Sequence, residues 1–212
     1  MRTTFYGFLT YALVLASSSA QGQLLVDDFN DGSTSGWTIQ NGTITESGGV
    51  FYGTDESLAT LDGVSSSSLG VDAIANPGTD YVALVLNYNS LSDNLFIKIQ
   101  DNDANGLFDR VFFYTGNNGV AAFIGSSFFD LSSQVGATYF QATDNGDGTA
   151  TAYVEATGEF FSGTLNSTYT GTGAGIGFYG NGEADNYYLG IPEPTTCTLA
   201  LAALCLLGCR RR

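Results

Sequence analysis

The chain has 212 residues, 28 of them glycine, and a formal net charge of −15. It contains no histidine, which excludes Ser-His-Asp and Cys-His nucleophiles and His-based zinc sites. Its three cysteines, Cys197, Cys205 and Cys209, all lie near the C-terminus, so the body of the chain has no disulfide or thiol chemistry, and its acidity disfavours nucleic acid and anionic lipid as partners.

The first 22 residues carry one basic side chain, Arg2, then an apolar segment from Phe5 to Ala16, then small residues. Ser18-Ser19-Ala20 fits a small-x-small cleavage site, and so does Ala20-Gln21-Gly22. This is the pattern of a secretory signal peptide, which implies a signal helix and passage through the Sec translocon. No cysteine sits there to carry a lipid anchor. Residues 23–190 form the expected exported domain. From Gln21 to Gly190 there are 20 acidic residues against two basic ones, Lys98 and Arg110, a net of −18. That length suits a single domain with a real core.

Helical periodicity is scarce in this stretch. Short runs rich in Val, Ile, Phe, Tyr and Thr alternate with Gly, Asn, Asp and Ser. The expected strands are Leu24 to Phe29, Trp37 to Gln40, Val50 to Gly53, Ser57 to Leu61, Asp80 to Tyr88, Asn94 to Gln100, Arg110 to Thr115, Val120 to Ile124, Thr138 to Thr143, Thr149 to Ala156, Glu159 to Leu165, Gly175 to Tyr179 and Asn186 to Leu189. Ser65 to Ser68 is expected to be a loop. Regular short strands with turn signals predict an all-β antiparallel sandwich or barrel. Tyr81 to Leu86 is apolar on both faces, which predicts a central strand. Leu95, Ile97 and Ile99 alternate with Phe96, Lys98 and Gln100, which predicts one buried and one exposed face. Asp144 to Gly148 and Asp101 to Asp109 are expected hairpin loops.

The second of these loops holds the strongest metal pattern. Asp101, Asp103, Asn105 and Asp109 place oxygen ligands at alternate positions, with Gly106 permitting a sharp turn. The spacing resembles the first half of a calcium loop of the EF-hand or thrombospondin-repeat kind, which implies calcium as a cofactor. The twelfth position, where such loops carry a bidentate Glu, is Phe112. The competing reading is an acidic hairpin whose Asn and Asp serve turn geometry.

Asp27-Asp28-Phe29-Asn30-Asp31-Gly32 followed by Gly36-Trp37, together with Gly175 to Tyr179 and Asp185 to Leu189 at the other end, resembles the opening and closing strands of concanavalin A-like (LamG-like) jelly-roll domains. The resemblance implies a β-sandwich with the first and last strands side by side. It also implies a second possible calcium position where Asp27, Asp28 and Asp185 meet. Glycosidases of that fold present Glu-x-Asp-x-x-Glu on one strand. The nearest match here, Glu183-x-Asp185-x-x-Tyr188, lacks the final acid. Tyr52, Tyr179, Tyr187 and Tyr188 are the candidates for stacking on sugar. Phe112, Phe113, Tyr114, Phe128 and Phe129 read as core and sheet-face packing.

The chain closes on Pro192-Glu193-Pro194, an uncharged apolar run from Thr195 to Cys209, and Arg210-Arg211-Arg212. The prolines start a helix after themselves. Its fifteen residues would span roughly 22 Å, short for a hydrocarbon core of about 30 Å. The arginines stay cytoplasmic by the positive-inside rule. This three-part order resembles the PEP-CTERM sorting signal over residues 191–212. The resemblance implies that an exosortase-type membrane protease removes the tail and that the membrane is touched only before processing.

The expected function is a non-enzymatic exported protein of the cell envelope or matrix, with extracellular polysaccharide as the expected ligand. A glycoside hydrolase and a purely structural surface protein are the alternatives.

Overall fold

The computed structural model describes residues 22–117, 120–165 and 168–191. The two expected end helices lie outside these residues, as do Pro192, Glu193, Pro194, Arg210, Arg211 and Arg212. Among the described residues no helix is long and apolar enough to cross a membrane. The described unit, 22–191, has its own core. It runs one residue further at each end than expected, because Gly22 pairs with Ile191.

Thirteen antiparallel strands form the unit: β1 (Gly22–Asp27), β2 (Trp37–Ser47), β3 (Val50–Ser65), β4 (Ser68–Ile74), β5 (Thr79–Ser90), β6 (Asp93–Gln100), β7 (Phe108–Asn117), β8 (Val120–Val135), β9 (Ala137–Asp144), β10 (Thr149–Val154), β11 (Glu159–Thr164), β12 (Gly173–Gly180) and β13 (Glu183–Ile191). Their order is β11-β10-β9-β4-β13-β3-β12-β5-β6-β7-β8, with β1 on β13 and β2 on β3. The ribbon folds into two layers, turning where β13 leaves β4 and meets β3 at Glu183 and Ala184. The front layer is β2, β3, β12, β5, β6, β7 and β8. The back layer is β11, β10, β9, β4, β13 and β1.

Alternation fills the space between the layers. Leu84, Ile97 and Phe113 point inward from the front, and Val71, Phe140 and Ala152 from the back, all fully buried. The expected central strand is β5, and Val82 to Leu86 have no exposed surface. The first and last strands pair as the jelly-roll resemblance implies. Its opening motif serves the core. Phe29 stacks on Phe51 with centroids 4.7 Å apart, Trp37 lies edge-on to Tyr187 at 5.0 Å, and Trp37 Nε1 donates to Asp27 Oδ2 at 2.7 Å.

Four strand expectations need correction. Trp37 to Gln40 is only the start of β2, which continues to Ser47 because Thr43 to Ser47 pair with Val50 to Thr54. Val50 to Gly53 and Ser57 to Leu61 are one strand, β3, carried across an irregularity where Asn41 faces Leu58 and Thr43 faces Thr54. β4 was not expected, because Gly70 and Asp72 are poor strand formers; Leu69, Val71 and Ala73 nonetheless bury completely. β8 continues past Ile124 to Val135, through a serine-rich stretch that alternation alone does not mark.

Candidate functional site

The outer face of the front layer gathers rings and charged groups. On β6, Leu95, Ile97 and Ile99 face the core, so Phe96 and Lys98 face out. Register sets Val85 opposite Phe96 and Ala83 opposite Lys98 on β5, then Tyr114 opposite Phe96 and Phe112 opposite Lys98 on β7. On β12, Gly177 lies opposite Ala83. A Cβ at Gly177 would meet the Phe96 ring at 3.0 Å, so glycine there lets the ring lie down on the sheet.

The result is a depression of about 440 Å³ lined by Asn41, Glu56, Ser57, Leu58, Tyr81, Leu91, Asn94, Phe96, Lys98 and Tyr114. Glu56 comes from the irregular part of β3, next to Asp55 with its positive φ of 57°. Bulges of this kind re-aim side chains beside sites. Asn41 Nδ2 donates to the Glu56 carbonyl at 3.1 Å and ties the bulge to β2. The buried Ser57 hydroxyl has no hydrogen-bond partner among the described residues.

Lys98 is the unexpected member. The exposed face predicted for it is covered by rings, and it is only 9% exposed. Its Nζ lies 4.3 Å from the Tyr81 ring centroid and 5.2 Å from those of Phe112 and Tyr114. Among the described residues Nζ has neither a hydrogen bond nor an ion pair. Burial pulls its pKa down to about 8, against the opposing fields of Asp80 and Glu56. Burial raises Asp80, the Lys98 charge lowers it, and Asp101 raises it again. The Tyr81 phenol is pushed well above its ordinary value, chiefly by burial and next by Glu56. Sequence reading missed Lys98, Glu56, Leu91 and Asn94; the clue for Lys98 was a lone cation within an aromatic-rich stretch.

The expected sugar-stacking tyrosines scatter. Tyr187 is fully buried and donates to the Gly175 carbonyl at 3.2 Å, so it belongs to the core. Tyr188 donates to Asp72 Oδ2 at 3.2 Å on the back layer. Tyr52 lines a second depression, of about 320 Å³, with Glu183. Tyr179, 41% exposed, stacks on Tyr81 at 6.0 Å and extends the front face. Phe113 is core as expected, whereas Phe128 is 51% exposed on the outer side of β8.

The calcium candidates turn toward protein donors. Asp101 accepts from Asn105 N at 3.2 Å and Gly106 N at 2.7 Å with its two oxygens. Asp109 Oδ1 accepts from Asn102 N, Asp103 Oδ2 accepts from Gln134, and the Asn105 amide donates to Gln134. Backbone N–H groups of the loop thus meet both Asp101 oxygens and one Asp109 oxygen, while Asp103 Oδ1 and Asp109 Oδ2 have no hydrogen-bond partner among the described residues. Asp27 is committed to Trp37 and Phe29 N, and Asp185 pairs opposite Asp72. Among the described residues no group of three or more His, Cys, Asp or Glu side chains is gathered to hold a metal.

Residues 190–212 match the PEP-CTERM protein-sorting motif. The chain is therefore an exported protein, sorted by an exosortase, transiently anchored in the membrane and then at the cell surface. Its exported part has the jelly-roll, concanavalin A-like sandwich fold. It is similar to carbohydrate-binding module CBM66 from Bacillus subtilis, at 16% identity and TM-score 0.55 over 73% of this chain and 91% of that one. It is also similar to the β-glucanase of Bacillus licheniformis, at 10% identity and TM-score 0.57 over 82% and 100%. The carbohydrate recognition domain of Emp46p matches at 14% identity and TM-score 0.52 over 79% and 97%. At these identities the likeness is one of fold. No curated protein matches the chain.

Proposed function

We propose that the exported domain binds polysaccharide in the depression on the front layer and does not cleave it. The carrying observation is the lining itself. Rings from β5, β6 and β7 offer flat apolar faces to sugar C–H groups. Glu56 offers acceptors and Lys98 donors for hydroxyls, while the Asn94 amide is held by the Ser90 and Leu91 carbonyls. The solved structures of similar fold include a carbohydrate-binding module and a recognition domain, which supports the reading by analogy of fold alone.

Hydrolysis needs an acid and a second carboxylate across one scissile bond. Glu56 is the one carboxylate lining the depression, and Glu183 lines a different one. The β-glucanase match makes the hydrolytic alternative worth testing in the same experiment. Purified residues 22–191 are applied to a glycan array, and reducing ends are measured on every polymer bound. Binding that weakens in Tyr114→Ala and Leu91→Ala, with no new reducing ends, is the expected result. Release of reducing ends that disappears in Glu56→Gln would establish an enzyme instead. Absence of any glycan binding would leave a structural surface protein.

A further inference from the structure

The two basic residues of the exported domain, Lys98 and Arg110, stand against 20 acidic ones. They are far apart in composition terms from any basic cluster, yet the fold sets both on one face. Lys98 lies on β6 opposite Phe112, and Arg110 lies on β7 opposite Gln100. The same alternation that points Phe96 and Lys98 outward points Arg110 outward, and it pairs there with Asp130 of β8, Nε to Oδ1 at 2.8 Å. Its guanidinium lies 5.6 Å from the Phe128 ring centroid. Neither cation is used up. Lys98 Nζ has no hydrogen-bonding partner among the described residues, and Arg110 commits only Nε there, leaving its two Nη groups without one.

A band of rings joins the two cations. Tyr179 stacks on Tyr81 at 6.0 Å, Tyr81 meets Phe96 at 5.5 Å, and Phe112 meets Tyr114 at 5.9 Å and Phe128 at 5.7 Å. It crosses β12, β5, β6, β7 and β8, about 19 Å at the usual strand spacing of about 4.8 Å. That is too long for a single sugar. We propose that this band takes an acidic polysaccharide, carboxylated or sulfated, as an extended chain lying across the strands with its anionic groups on Lys98 and Arg110. The inference rests on the glycan-binding reading above and adds the class of glycan.

Charge complementarity and the cost of desolvation favour an acidic glycan. Amides and hydroxyls recognise neutral sugars without desolvating a charge. An ammonium sunk among three rings carries a desolvation penalty that an anionic partner offsets best. Asp130 holds Arg110 through Nε, and Glu56 lines the depression beside Lys98 with acceptors for sugar hydroxyls.

Isothermal titration of residues 22–191 with matched polymers tests this. One pair is polygalacturonate and its methyl ester; the other is a sulfated galactan and the same galactan desulfated. The charged member of at least one pair should bind about ten-fold tighter or more, and the two pairs separate carboxylate from sulfate recognition. Arg110→Gln should remove about ten-fold of the charged polymer's affinity and leave the neutral member unchanged, as loss of one charge-assisted contact predicts, and Lys98→Met should weaken the charged member about ten-fold more than the neutral one. Arg110 is at the surface, so Arg110→Gln stays informative if Lys98→Met does not fold. Equal binding of charged and neutral members, weakened alike by Tyr114→Ala, would overturn the inference and keep the glycan site. Charged-polymer binding untouched by both cation variants would overturn it too. No binding of any polymer would sink both readings.

Discussion

Lys98 couples stability and binding to pH with opposite signs. Its ordinary value is 10.5 and the folded value is about 8, lowered by burial. Between those values the unfolded chain holds the proton and the folded chain does not, so stability rises with pH across that window. The groups facing Lys98 are Asp80, Glu56, Tyr81 and Tyr114, and burial raises both tyrosines, which therefore stay neutral there. Thermal melts from pH 7 to 9.5 should show this gain, and Lys98→Met should flatten it. Affinity for an acidic polymer should fall over the same range. A second residue, Asp101, is 3% exposed and closes the β6–β7 loop through two backbone N–H groups. Asp101→Ala should cost roughly 3 kcal/mol, the order expected for orphaning buried donors of a charged acceptor. Melts that coincide in calcium and in chelator would leave Asp101, Asp103, Asn105 and Asp109 to turn geometry alone. A calcium-dependent rise that Asp103→Ala removes would restore the calcium loop.

Among the elements, β3 does the most to build the site. A regular hairpin from β2 would leave Glu56 in an ordinary strand position; the irregularity between Thr54 and Leu58 puts it in the lining. Asp55 sits there in the left-handed region, φ 57°. Asp55→Gly should be neutral or slightly stabilising in a chemical denaturation. Asp55→Val should cost about 1–2 kcal/mol, because a β-branched side chain clashes in that conformation. If Asp55→Val also weakens glycan binding beyond its loss of stability, the bulge positions Glu56; if not, the bulge serves only the fold. The sequence showed Thr54-Asp55-Glu56 as a break between two strands because its residues are polar and turn-prone. Pairing before and after the break holds β3 as one strand: β2 lies along one side up to Thr54 and again from Leu58, and on the other side β13 pairs at Phe51 and Tyr52 and β12 from Ser57.

For the whole molecule, the sorting signal and the proposed binding face belong to separate parts of the chain. Mass spectrometry of envelope and medium fractions should recover mature chains lacking Arg210 to Arg212. Recovery solely of chains ending at Arg212 would indicate a plain anchor instead.

The class of fold and the destination were legible in the residues themselves. Alternation in Leu95, Ile97 and Ile99 is a local property of a pleated strand, and the Pro-Glu-Pro, apolar and Arg segments act as a linear address. The pairing of first and last strands was legible through the Asp27 to Trp37 and Asp185 to Leu189 motifs. The site was not. Lys98 and Arg110 are twelve positions apart in a sequence that gives no hint of their neighbours; strand register alone sets them on one face among Tyr81, Phe112 and Phe128. The same holds for Asp101, Asp103, Asn105 and Asp109. Their spacing is a local pattern, but the partners of each side chain come from the folded loop and from β8: backbone N–H groups on Asp101 and Asp109, Gln134 on Asp103 and Asn105. Local pattern fixes which residues alternate and which segments are apolar. Long-range pairing decides which side chains share a surface, because contacts between distant strands are not encoded in any one window of the chain.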